Sequence, residues 1–267
     1  MGDNILIPPQ EFMSNVSGIP YQGIYEQSLQ QKYEIGARWA LNDGSDRIFR
    51  YCKCGATMNM RNRGAANANQ QIEGTALSNL TAGVTTYLDL PPAHADDETV
   101  THTAKDIYKG GFVWVMGSGG DPALHQFLRI THNDASNGTY VRAYLEQKPL
   151  STIATPWITA YPNIYSNVQC TYNTMPDPLA TVVCVPLIAV TANYYFWGQT
   201  WGPVWITAYS VTPGAAGAHR DVYWRYGTIF LAHEAEAVGT YSPQRAGYIL
   251  PYTATTGDMC VYLQMAP

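Results

Sequence analysis

The chain has 267 residues, a formal net charge of −5 and a pI near 5.6, with 46% hydrophobic and only 13% charged side chains. That length suits one large β domain or two small ones with a sizeable core, and the acidic balance, with no basic cluster denser than Arg61-Asn62-Arg63, excludes a binder of nucleic-acid phosphates. Ordinary soluble domains carry about 25% charge, so this surface must be hydrated by amides and hydroxyls or covered by other subunits.

Residues 1–31 read as an extended N-terminal arm. Pro8, Pro9, Gly18, Pro20 and Gly23 rule out a long helix there, although residues 25–33 suit one short helical turn. Ile5, Ile7 and Phe12 are too apolar for a solvated tail and are candidate contacts to a neighbouring chain. The opening residues lack the basic start and long apolar stretch of an export signal, and Leu6 stands where myristoylation needs Ser or Thr. Synthesis in the cytoplasm is therefore expected. No apolar run approaches the ~18 residues of a spanning helix, so no membrane partner is expected.

From residue 32 a β-rich domain is expected to run to 267, with room for a subdivision near 149–178. Tyr33, Ile35, Ala37 and Trp39 alternate, Asn42-Asp43-Gly44 turns, and residues 47–54 (RIFRYCKC) alternate again, the pattern of a β-hairpin. Residues 58–80, rich in Asn, Gln, Ala and Gly, read as a loop or short helix. A strand over 85–90 ends at Pro91-Pro92. In 108–117, Phe112, Trp114 and Met116 alternate with Val113 and Val115, predicting a strand buried on both faces. Residues 124–131 and 139–145 form a second expected hairpin, and 149–178 a long connector. Strands over 181–190, 194–200, 203–209, 222–231 and 261–265 complete the set. About ten to twelve short strands separated by regular turn signals predict an all-β fold, a β-sandwich, jelly-roll-like or a partly open barrel.

The motifs of chemistry fail one after another. His233 is followed by Glu234, yet a zinc-protease helix needs a second His where Ala237 stands. The acidic bend 94–98 (HADDE) lacks the Gly and spaced oxygen ligands of a calcium loop. The turn 117–122 (GSGGDP) carries no Lys and opens no helix, so neither a phosphate cradle nor a nucleophile elbow at Ser118 is expected. Most carboxylates lie in turns, where Asp side chains cap backbone amides. Five cysteines, with no second pair to complete a zinc site, read as buried free thiols. No catalytic residue, metal or cofactor is expected, and the chain does not read as an enzyme.

The densest aromatic stretch is residues 192–209 (ANYYFWGQTWGPVWITAY). Gly198 and Gly202-Pro203 are expected to break it into two strands. Tyr194 and Phe196 point one way, Tyr195 and Trp197 the other. One face enters the core, and the other must meet a second sheet or a neighbouring subunit, which makes Tyr194, Tyr195, Phe196, Trp197, Trp201 and Trp205 candidate assembly residues. The alternative is a glycan-stacking platform with Gln199 and Thr200 as polar partners.

Three segments carry a resemblance: residues 32–58 (KYEIGARWALNDGSDRIFRYCKCGATM), residues 108–134 (YKGGFVWVMGSGGDPALHQFLRITHND) with 141–155, and residues 182–206 (VVCVPLIAVTANYYFWGQTWGPVWI). In that order they resemble β-rich structural proteins of tailed bacteriophage particles. The resemblance implies a virion component, made in the host cytoplasm, that binds capsid or tail proteins. A decoration or cement protein acting as a homo-oligomer, a trimer or larger ring, is the expectation, with a tail or fibre adhesin for host glycans as the alternative.

Overall fold

The computed structural model describes residues 21–59, 62–68, 71–95, 102–117, 122–170, 181–208, 220–231, 244–250 and 259–267. Among these residues there are seventeen strands, one 3-10 turn (Pro122–Leu124) and no α-helix, and every strand ladder is antiparallel. The protein is all-β, with two curled sheets that each form a half-barrel.

The chain builds two units, one split by the other. The split unit comprises residues 1–68 and 167–267, and the inserted unit residues 69–166. The split unit opens with β1 (Gln27–Ser28), β2 (Arg38–Ala40), β3 (Ile48–Lys53) and β4 (Ala65–Asn67). The inserted unit follows, with β5 (Ile72–Thr75), β6 (Tyr87–Leu90), β7 (Phe112–Met116), β8 (Gln126–Asn133), β9 (Val141–Leu145) and β10 (Trp157–Tyr161). The chain then returns through β11 (Val168–Cys170), β12 (Val182–Pro186), β13 (Tyr195–Ile206), β14 (Asp221–Arg225), β15 (Thr228–Leu231), β16 (Arg245–Ile249) and β17 (Met259–Gln264).

The insertion leaves and rejoins at one ladder. Strand β4 pairs with β11, Asn67 opposite Val168, and Ala68 N–H donates to the Asn167 carbonyl at 2.9 Å. A second unit thus interrupts the β-rich stretch that begins at residue 32. The second junction, at 166/167, lies in the 149–178 stretch. The first, at 68/69, lies in the segment read as a loop or short helix, which instead holds β4 and β5. Residues 21–31 also belong to the split unit. They carry a strand, not a helical turn, with Gln27 and Ser28 opposite Phe196 and Tyr195.

In the split unit the sheet runs β11-β4-β12-β13-β17-β16-β14-β15, with β3 also paired to β13 and β2 to β3. The β2–β3 pairing is the hairpin that alternation predicts. Val204 and Ile206 pack against Val222, Ile229, Val261 and Leu263 to form one apolar core. Strand β13 is a single element of 12 residues, not two strands. The register with β3 slips between Gln199 and Trp201, so a bulge absorbs the irregularity that Gly198 and Gly202-Pro203 announce. Gly202 takes φ +85°, and the Pro203 carbonyl accepts a hydrogen bond from the Gln199 side chain at 2.9 Å. In extended backbone a residue's N and O lie on the same side, so the nitrogen of Pro203 faces away from its partner strand and no ladder bond is lost. Residues 222–231 likewise hold a hairpin and not one strand. Tyr226 and Gly227, at φ +50° and +71°, make the turn between β14 and β15.

The inserted sheet runs β5-β10-β7-β8-β9-β6. Its inner face sends Ile72, Val113, Val115, Leu128, Ile130, Val141 and Ile158 into a second core with Leu80, Tyr108 and Ile153. The β8–β9 pairing is the second expected hairpin. Strand β10 was not expected, because residues 149–178 read as a connector, yet it lies between β5 and β7. Both edges are capped locally: Ala95 N–H bonds the Glu73 carbonyl on β5, and residues 77 and 78 bond Asp89 on β6.

Candidate functional site

The outer face of the inserted sheet leaves a cluster of aromatic side chains open. Strand β7 (FVWVM) is apolar at every position, which is why it reads as buried on both faces. In the structure only Val113 and Val115 point inward, while Phe112 and Trp114 are more than a third exposed. Register then assembles the face. Trp114 lies opposite Thr159 on β10 and Phe127 on β8, Phe112 opposite Tyr161 and Arg129, and Met116 opposite Trp157. Phe112 and Phe127 stack diagonally across β7 and β8, with ring centroids 4.8 Å apart and planes 19° apart. Phe127 is 58% exposed.

An open groove of about 620 Å3 runs along these rings, lined also by His125, Gln126, Tyr161, Pro162 and Ile164. Its polar groups are few. The Gln126 side chain is engaged internally, accepting from Leu150 N–H at 2.6 Å and donating to the Ser151 carbonyl at 3.2 Å. His125 sets its ring edge-on to Trp114 at 5.8 Å, and its Nε2 has no hydrogen-bond partner among the described residues. Trp157 is pinned by its indole N–H to Glu73 at 3.0 Å.

Toward β9 and β6 the same sheet becomes polar, with its charges matched in place. Arg142 grips Asp89 through two hydrogen bonds of 2.8 and 3.0 Å and lies 4.1 Å from the centre of the Tyr87 ring. These bonds hold its guanidinium still more firmly protonated. His132 stacks on Tyr144 at 4.2 Å, and the Tyr144 hydroxyl donates to Asp134, which raises its pKa. Arg129 pairs with Glu146 at 3.0 Å.

The aromatic stretch singled out from the sequence has a different fate. Ile5, Ile7 and Phe12 lie outside the described residues. Phe196 is fully buried and Trp197 is 3% exposed, so neither is available to a partner. The face that seemed to need a second subunit is covered by the chain's own residues 21–41. Tyr33, Trp39 and Tyr51 surround the Trp197 indole at centroid distances of 5.0, 5.1 and 4.9 Å, and its N–H donates to the Gln22 carbonyl at 3.0 Å. Tyr194 is half-buried, and Tyr195, half-buried too, stacks on Tyr51. Trp201 donates to Asp46, which also accepts from the Tyr262 hydroxyl. Trp205 alone of this group is largely exposed, at 54%. Gln199 and Thr200 are not polar partners for a ligand: Gln199 bonds the Trp201 and Pro203 carbonyls, and Thr200 bonds the Ala266 carbonyl.

The five cysteines are free thiols, with Cys52, Cys54 and Cys184 buried but Cys170 and Cys260 only half-buried. Cys52 and Cys184 come from the two strands flanking β13 and meet across Gly198 with sulfurs 3.7 Å apart. Burial pushes Cys54 up to about 11 and Cys184 well above the usual thiol range, so both are unreactive thiols. Among the described residues no three His, Cys, Asp or Glu side chains gather as a metal site. His233, Glu234 and Glu236, the carboxylates at 96–98, and Ser118 in its turn lie outside the described residues.

Sequence reasoning missed Trp157 and Tyr161 and gave Phe112 and Trp114 the wrong environment. The β10 segment WITAY is a short β-prone run, but it does not alternate polar with apolar and Pro156 and Pro162 flank it, so it read as connector. No family model, curated protein or solved structure matches this chain.

Proposed function

We propose that this chain is a virion structural protein, a capsid decoration or cement protein that works by protein contact and not by catalysis. The observation that carries the reading is the open, mostly apolar aromatic groove of the inserted sheet, set on the interior strands β10, β7 and β8. An apolar patch of this kind marks a protein contact. Support comes also from the low charge, which leaves few groups to desolvate in an assembly, and from the resemblance of three segments to tailed-phage structural proteins. Its partners are the major capsid protein or tail proteins and further copies of itself, and it resides in the virion after synthesis in the host cytoplasm. Mass spectrometry and imaging of purified particles test this: the chain is expected at a regular copy number on the shell. Its presence only in the soluble fraction of infected cells would overturn the reading.

The adhesin alternative needs hydrogen-bond donors and acceptors beside the rings. Gln199, Thr200 and Gln126 are committed internally, and the His125 Nε2 is buried, so the polar groups left to a ligand at the groove are the Trp114 indole N–H and the Tyr161 hydroxyl, fewer than a glycan's hydroxyls call for. A glycan array bound by the wild type and lost on Trp114→Ala would favour the adhesin.

A further inference from the structure

We infer that the aromatic face of the inserted unit is where a second copy of this chain docks, sheet against sheet, about a two-fold axis. The inference names the surface behind the self-association in the proposed function, but stands or falls on the face alone.

The first argument is area. Phe112, Trp114, Phe127, Trp157, Tyr161 and Ile164 are between 37% and 58% exposed and share one face of β10, β7 and β8 and the segment after β10. With 150–250 Å2 for a whole aromatic side chain, they leave roughly 400–600 Å2 of apolar surface open. That is the top of the range a solvated monomer shows. Two such faces supply up to about 1,000 Å2 of apolar surface, the area at which a specific interface begins.

The second argument is charge. A two-fold contact sets each residue against the partner's copy of its own neighbourhood, so an unbalanced face repels itself. Here the cations are matched within the face, Arg129 by Glu146 and Arg142 by Asp89, and Glu73, on the outer strand β5, accepts from the Trp157 indole with His94 3.9 Å away. A partner recognised by charge would require several unmatched groups, and among the described residues around the stripe both arginines are paired. The third argument is the backbone. Both edge strands already bond to residues 77–78 and 95, so the face and not an edge is what this sheet offers. Two pleated sheets pack about 10 Å apart with interdigitating side chains, a spacing that suits the diagonal Phe112–Phe127 stack. The geometry yields dimers or even-numbered assemblies, where composition led to the expectation of a trimer or larger ring.

Sedimentation and light scattering of the full chain from roughly 1 to 100 µM test it. The wild type is expected to be a dimer or a multiple of one. Phe127→Asp, at the most exposed ring of the stripe, is expected to weaken association by roughly tenfold or more, with a melting temperature that matches the wild type's at dilutions where both are monomeric. Val84→Asp, equally exposed but outside the stripe, is expected to leave the mass unchanged. If Phe127→Asp melts early, Phe127→Cys with a short thiol-to-thiol crosslinker replaces it: a covalent dimer through position 127 supports the two-fold face, and none overturns it. A wild type monomeric throughout the range, or a Phe127→Asp oligomer of undiminished mass, also overturns the inference. A chain found on particles only as isolated monomers would sink the self-contact and leave the virion reading standing.

Discussion

Trp197 and Trp114 sit in strands of the same aromatic, alternating kind, and their environments are opposite. Trp197 is 3% exposed beneath Tyr33, Trp39 and Tyr51, whereas Trp114 is 38% exposed with His125 at its edge. The difference lies in what the chain carries over each face. Residues 21–41 are fastened above β13 by Gln22, whose side chain donates to the Tyr195 carbonyl at 2.8 Å and accepts from the Tyr51 hydroxyl at 2.7 Å. No comparable segment is fastened over β7 among the described residues. An aromatic strand is thus core or contact surface according to whether a tethered segment reaches it.

Truncating the covered tryptophan should have the largest effect. Trp197→Ala is expected to cost about 3–5 kcal/mol in urea unfolding of the split unit; a loss below about 1 kcal/mol would mean that the cover is not a core. Gly198→Ala comes next. An added Cβ would lie 2.4 Å from the Cys184 sulfur, so overpacking of about 1–3 kcal/mol is expected. Adding Cys184→Ala should recover part of it, and additive losses in the double mutant would sink the explanation.

The fastening itself is tested through Tyr51. Tyr51→Phe removes the bond to Gln22 and one accepted from Lys32 N–H, an expected loss of about 1–2 kcal/mol. Burial also pushes the Tyr51 phenol up to about 12 from 10.0. The folded state holds this proton more tightly than the unfolded chain, so the contribution is complete below pH 10 and is lost as pH rises toward 12. Alkaline melts should show this decline in the wild type and a flatter profile in Tyr51→Phe.

The inserted unit should show the opposite sign. His102 is buried beside Tyr108, and burial lowers its pKa below 6.5. The unfolded chain takes up the proton first, so stability falls as pH drops below about 6.5. His102→Gln should flatten acid melts of this unit, and an unchanged acid slope would assign the loss elsewhere. The smallest effect is expected at the open face: at dilutions where the chain is monomeric, Phe127→Ser should alter unfolding free energy by no more than about 1 kcal/mol, the scale of its stack with Phe112. A loss as large as that of Trp197→Ala would erase the contrast between the two regions.

The sequence by itself determined the fold class and the two hairpins around β3 and β8, because period-two alternation and turn residues are local signals. It also marked both aromatic strands and dismissed each familiar catalytic motif on spacing. It could not decide β10, whose flanking prolines resembled a connector, or the continuity of β13, where a bulge and the Gln199 side chain accommodate Gly202-Pro203. Above all it could not decide coverage. That Cys52 and Cys184 meet over Gly198, that β4 finds β11 across the whole inserted unit, and that Gln22 reaches Tyr195 are pairings between distant residues. Closing a long loop costs free energy that grows only slowly with its length, so distant segments compete for a sheet face on nearly equal terms. Alternation says which side chains share a face, and packing in three dimensions decides which face is left bare.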